Sequence, residues 1–233
     1  MKLNQKITIN DTQYSLYYSF LCEKFSPVAI SDHMRGKMAG MVAISTNAMD
    51  NPHCIRNHNN CKTVCAHCYA LQSLQFMRNL RGFLSHNTQL LTSSILDIEL
   101  LPVFKYADVV RFESHGDLIN VTQCINYFNI CNVNKNVTFT IWTKNPYIIA
   151  QAIKAGHKKP NNLIVVYSTV RLDGKPDKRI LNVYNFIDKI FTVYSKNEIL
   201  DNNIEINCQQ HCNSCRKCYN LNDKTIFINE KLK

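Results

Sequence analysis

The chain has 233 residues, of which 45% are hydrophobic and 19% charged, enough to bury a continuous core without disulfide staples. Global disorder and a fibrous chain are excluded. Six Gly and six Pro leave little material for a Gly-rich phosphate loop, and neither GxGxxG nor a GxxxxGK run followed by Ser or Thr occurs. The formal net charge of +10 points to phosphate-rich partners. Two occupied thiolate metal sites would lower it by about three or four units. Eleven Cys is an odd number gathered mainly into two runs, so complete internal disulfide pairing is impossible.

In chain order, the N-terminus Met1 to Thr8 lacks the apolar core of a secretory signal, and no later stretch is long and apolar enough to span a bilayer. A soluble cytoplasmic protein without membrane contact is expected, and in a reducing cytosol clustered Cys ligate metal or do redox chemistry. Residues 1–40 form an N-terminal extension. Its alternating stretches Lys6 to Ile9 and Tyr14 to Phe20 read as strands or as a wrapped segment. Met41 to Thr46 reads as a buried strand, and the polar run Asn47 to Asn60 as a loop. Apolar residues then recur at helical spacing from Tyr69 to Leu80 and from Phe83 to Phe104.

Beyond residue 105, apolar and β-branched runs at Asp108 to Phe112, Val137 to Trp142, Leu163 to Tyr167, Ile190 to Tyr194 and Thr225 to Ile228 predict strands. Helical patterns at Ile119 to Cys131 and Tyr147 to Ala155 separate the first three. Arg171 to Arg179 reads as a charged loop. This alternation predicts an α/β protein with a partial, open parallel α/β barrel of about six strands over 41–200, and a small Cys-rich C-terminal module with the last strand over 201–233. A doubly wound sheet is the alternative.

The first Cys constellation is Cys61-Lys62-Thr63-Val64-Cys65-Ala66-His67-Cys68, preceded by Cys54, between the first barrel strand and its helix. Three thiolates so close together can hold three irons of a [4Fe-4S] cluster and leave the fourth open to a ligand such as S-adenosylmethionine. CxxxCxxC in the loop after the first strand resembles the radical S-adenosylmethionine superfamily. More narrowly, Lys37-Met38-Ala39-Gly40, Cys68-Tyr69-Ala70, Arg111 to Asp117 and Trp142-Thr143-Lys144-Asn145-Pro146 are similar to a phage-associated family called gene product eighty-eight, over about residues 36–228. The first resemblance implies S-adenosylmethionine as cofactor and a reductant such as flavodoxin or ferredoxin. By analogy of position, Tyr69, Glu113, Ser114, Gly116, Asp117, Thr143, Lys144 and Ser168 are the expected cofactor contacts. The motif departs from the superfamily in having His67 before the last Cys and Tyr69 after it, and a Gly-Gly-Glu turn is absent.

Zinc held by Cys54, Cys61, Cys65 and Cys68, with His53, His58 or His67 as substitutes, is the alternative at the same loop. The second constellation, Cys208, Cys212, Cys215 and Cys218, carries enough thiols to close either a second cluster or a tetrahedral zinc. Glu113, His115 and Asp117 also suit an acid-base site, though no Ser stands in a nucleophile elbow. Cys22, Cys124 and Cys131 read as packed small hydrophobes. The functional expectation is a radical S-adenosylmethionine-like enzyme acting on a nucleic acid, a nucleotide or an anionic metabolite. The rivals are a zinc-stabilised basic nucleic-acid-binding protein and a degenerate iron-sulfur barrel kept for structure or electron transfer.

Overall fold

The computed structural model describes residues 2–220 and 222–232. An antiparallel hairpin of β1 (Lys2–Ile9) and β2 (Thr12–Tyr17) comes first. The main sheet follows, built from β3 (Val42–Ile44), β4 (Val109–Phe112), β5 (Thr138–Thr143), β6 (Leu163–Ser168), β7 (Lys189–Tyr194) and β8 (Phe227–Lys231). Its six strands are all parallel and lie in the order in which the chain makes them. The molecule is thus α/β, with an open sheet of partial-barrel type. The last strand of the Cys-rich C-terminal region pairs with β7 within this sheet.

Apolar strands buried on both faces are what such a sheet requires, and its register separates the two faces. One face carries the rows Val42–Val110–Phe139–Leu163 and Ile44–Phe112–Ile141–Val165. These pack against α3 (Arg78–Ser93), α4 (Val121–Val133) and α5 (Pro146–Lys154) in the main core. Phe112 lies at its centre, stacked between Tyr127 at 4.1 Å and Phe139 at 5.1 Å. The inner face carries the row Ala43–Arg111–Thr140–Ile164, then Trp142 beside Val166 and Phe191 beside Ile228. No helix from this series covers it. Met38, Met41, Cys218 and Tyr219 do.

The chain departs from its sequence pattern in three places. The polar run 47–60 contains α1 (Pro52–His58): the Asn51 side chain accepts from the main-chain N–H of His53 and Cys54, and Pro52 occupies the first helical position. The first long helical pattern breaks at Met77 into α2 (Tyr69–Phe76) and α3. The second stops at Ser93 rather than Phe104, because the buried Asn126 amide donates to the carbonyls of Leu91 and Ser94 and accepts from the N–H of Leu96. A tertiary contact supplies the cap that the local sequence lacks. A short helix, α6 (Arg179–Val183), also begins where the charged loop was expected to end. Cys22, Cys124 and Cys131 are buried in the main core. Among the described residues no helix is long and apolar enough to cross a membrane.

Candidate metal centre

The loop leaving β3 carries the first Cys constellation and is pinned at both ends. The Thr63 hydroxyl donates to the carbonyls of Asn57 and Asn60 at 2.6 and 2.9 Å. The N–H of Val64 donates to the carbonyl of Val170, and that of Leu172 to Lys62, so the loop is stitched to the segment after β6. A 3-10 turn over Val64–His67 then places Cys65 and Cys68 on one bend, with the Cys68 N–H donating to the Cys65 carbonyl at 3.0 Å. Cys68 leads directly into α2. Cys54, from α1, packs with Cys68 against the small core of Ala48, Leu71, Leu74 and Leu84. Cys61 is exposed at the start of the run.

All eleven Cys are free thiols. Burial pushes the Cys54 and Cys65 thiols up and Asp117 adds to this, while the Lys144 ammonium opposes it at both. A thiol held neutral by burial becomes a good metal ligand once a cation draws off its proton. Among the described residues no three His, Cys, Asp or Glu side chains already converge as a metal cage. The donor set nonetheless fits a thiolate-bound metal: four soft ligands on one short loop and its flanking helix, none spent in a disulfide.

The turn after β4 is built around two carboxylates, both turned into the protein. Glu113 has a positive φ of 57° and is 2% exposed. It accepts from the Thr46 N–H and hydroxyl, from the Gln123 amide at 2.6 Å and from the Tyr127 hydroxyl. Burial outweighs these donors and raises its carboxyl to about 8. Gly116 closes over it: a Cβ there would lie 2.7 Å from the Thr46 hydroxyl and 2.8 Å from its carbonyl. Asp117 accepts from the Thr143 hydroxyl at 2.6 Å, from the Lys144 N–H at 2.9 Å and from the Leu118 N–H at 2.7 Å, joining the turns after β4 and β5. Ser114 is bonded to Ser45 and His115 through its hydroxyl, and its carbonyl accepts from the Tyr69 hydroxyl. His115 is held low, at about 4, by burial and by the Arg111 charge.

Of the residues expected to seat a cofactor, Tyr69 is exposed and Gly116 and Lys144 are half-buried. Glu113, Ser114, Asp117, Thr143 and Ser168 are buried. The polar edge therefore presents Tyr69 and Lys144 beside the Cys loop, while the carboxylates and hydroxyls beneath hold the turns.

The second constellation docks on the inner face. Cys218 is buried with Tyr219 against Val109, Trp142, Ile164, Val166 and Ile228, and Cys208 and Cys212 pack against the same cluster. Cys215 is half-buried at the end of a short helix, Cys212–Cys215. Lys37 donates to the Cys208 carbonyl at 2.8 Å and to its sulfur at 3.1 Å, and pairs with Glu230 at 2.5 Å. Arg216 pairs with Asp108 at 2.7 Å. Burial pushes the Cys208 and Cys218 thiols up, with the Lys37 ammonium opposing at Cys208.

One residue that sequence reasoning passed over as a site residue lies between the two Cys segments. The Arg111 guanidinium sits 4.0 Å over the Trp142 ring and donates to the Met38 sulfur at 3.3 Å. It is within electrostatic reach of Tyr69, Cys212 and Tyr219. The signal in the sequence is a lone charge inside the apolar strand Val109-Val110-Arg111-Phe112.

No curated protein and no solved structure matches this chain. The model of the family described as Gene product 88 matches residues 29–227, which include both Cys segments and the main sheet through the start of its last strand, and the chain belongs to that family.

Proposed function

We propose that the protein is a radical S-adenosylmethionine-like iron-sulfur enzyme whose first Cys loop is its metal centre. One observation carries the reading: the CxxxCxxC loop leaves the C-terminal end of the first of six parallel strands laid down in sequential order. Ligand sites in such sheets form at the C-terminal ends of the strands. Cys61, Cys65 and Cys68 would hold a [4Fe-4S] cluster. When bound, such a cluster with S-adenosylmethionine supplies one-electron reduction of a sulfonium and the radical chemistry that follows.

The chain's own residues have distinct parts in this reading. Lys144 faces the loop and favours the thiolate forms of Cys54 and Cys65. Asp117 fixes Lys144 by accepting from its N–H. Tyr69, 59% exposed, ties the start of α2 to the turn after β4 through Ser114 and offers a ring face at the polar edge. Glu113 and Gly116 keep that turn in shape. The proposed substrate is a nucleotide, a nucleic acid or another anionic metabolite, and the reductant a flavodoxin or ferredoxin.

The test is anaerobic purification followed by iron and sulfide analysis and measurement of 5'-deoxyadenosine after reduction with S-adenosylmethionine. Iron and sulfide with cofactor-dependent 5'-deoxyadenosine are expected; stoichiometric zinc without iron overturns the reading. The second reading is a zinc-stapled basic nucleic-acid-binding protein. It is favoured by Cys54, which packs with Cys68 and would complete a four-thiolate zinc site. It predicts zinc, no iron and salt-dependent binding of oligonucleotides.

A further inference from the structure

We propose that Arg111 and Thr140 form the seat of a small oxyanion, a phosphate or carboxylate of the substrate, on the inner face of the sheet. The two residues are paired in register on adjacent strands, so their side chains rise from the same face about 5 Å apart. Arg111 Nε and Thr140 Oγ1 are both buried without a hydrogen-bond partner, and Thr140 is fully buried. Two polar groups left buried and unpaired on neighbouring strands are costly in an apolar interior. An oxyanion would accept from both.

The charge balance leads to the same place. Among the described residues no Asp or Glu lies within ion-pair distance of Arg111. Its surroundings are the Met38 thioether, the Trp142 ring, the hydroxyls of Tyr69 and Tyr219 and the Cys212 thiol. Buried cations are ordinarily paired with anions. The guanidinium stands over the Trp142 ring with one terminal nitrogen on the Met38 sulfur, and its Nε–H is the donor left for an oxyanion. Arg111 keeps some surface as a residue, while its Nε is buried. Its position within the curve of the sheet suits a small molecule better than the backbone of a nucleic-acid duplex. This deepens the reading above by naming the substrate group its inner face takes, and it does not depend on which metal the Cys loop holds.

Trp142 is the single Trp of the chain, so its fluorescence reports from the proposed seat. The full-length protein, as isolated and after anaerobic metal reconstitution, is titrated with inorganic phosphate and with acetate at constant ionic strength set by chloride. A saturable change of Trp142 fluorescence is expected with at least one oxyanion. Affinity should fall about tenfold or more in Arg111→Met and severalfold in Thr140→Val, as loss of charge-assisted hydrogen bonds implies. Circular dichroism checks the fold, and Arg111→Lys, which keeps charge but loses the fork, replaces Arg111→Met if that variant fails to fold. An unsaturable response, or full affinity in the folded Arg variant, overturns the seat. An oligonucleotide that displaces phosphate while nucleotides do not overturns the small-molecule assignment. Failure to bind iron with phosphate binding intact removes the enzyme reading alone.

Discussion

The Asp117 carboxylate accepts the main-chain N–H of Lys144 at 2.9 Å, and this bond decides where the Lys144 charge stands relative to the Cys loop. Asp117 accepts at the same time from the Thr143 hydroxyl and the Leu118 N–H. One buried side chain therefore holds the ends of β4 and β5 together at the polar edge of the sheet. Replacing Asp117 by Ala leaves three donors without partners and should cost about 2–4 kcal/mol, read as a lower urea midpoint with an unchanged denaturant slope. Asn, which keeps one acceptor oxygen, should cost less.

Lys144 should control the reactivity of the thiols it faces. In the metal-free protein, Lys144→Met removes the charge that favours the Cys54 and Cys65 thiolates. Alkylation of these two by iodoacetamide near neutral pH should slow by about fivefold, following the loss of thiolate. Cys208, whose charged neighbours are Lys37 and Glu230, serves as the internal control and should react at an unchanged rate. Peptide mass spectrometry resolves the three sites. Equal slowing at Cys208 would mean a general loss of structure.

Glu113 should give the protein a pH-dependent stability. Its carboxyl is raised to about 8 in the folded chain, against about 4.3 for an unperturbed Glu. Between these values the folded state binds the extra proton, so stability falls as pH rises from about 4.3 to about 8 and levels off above. Glu113→Gln keeps the shape of the side chain without ionising and should flatten that slope. Urea midpoints at pH 5, 7 and 9 for both proteins provide the comparison, and equal slopes would show that another group titrates.

Gly116 should tolerate no side chain. Ala would press its Cβ against the Thr46 carbonyl and hydroxyl and against the Glu113 carboxylate, with backbone on one side and a buried, four-donor carboxylate beneath. Overpacking of this kind costs about 1–3 kcal/mol, and calorimetry should show a lower Tm for Gly116→Ala. Gly82, with nothing near its Cβ direction and a place inside α3, is the contrasting site: Ala there should raise Tm slightly through helix propensity.

Strand-helix alternation from β4 to β6 was legible in the sequence, because short apolar and β-branched runs in Val109–Phe112, Thr138–Thr143 and Leu163–Ser168 and a helical period between them are local properties of the chain. So were the spacing of Cys61, Cys65 and Cys68 and their place after the first barrel strand. The start of α1 was written there as well, in Asn51-Pro52, although the polarity of 47–60 hides it.

Other features were decided by partners distant in sequence. The end of α3 depends on Asn126, more than thirty residues away. The inward turn of Glu113 depends on Thr46, Gln123 and Tyr127. From residue types alone, Glu113 and Asp117 read as acceptors facing a ligand, whereas three-dimensional packing spends them on the protein's own donors. The sequence by itself determined a parallel α/β chain with two thiol-rich segments. Only the tertiary structure decided that the second segment, through Cys218 and Tyr219, lies on the inner face beside Arg111 and Trp142, because the environment of a charge is set by whatever folds against it.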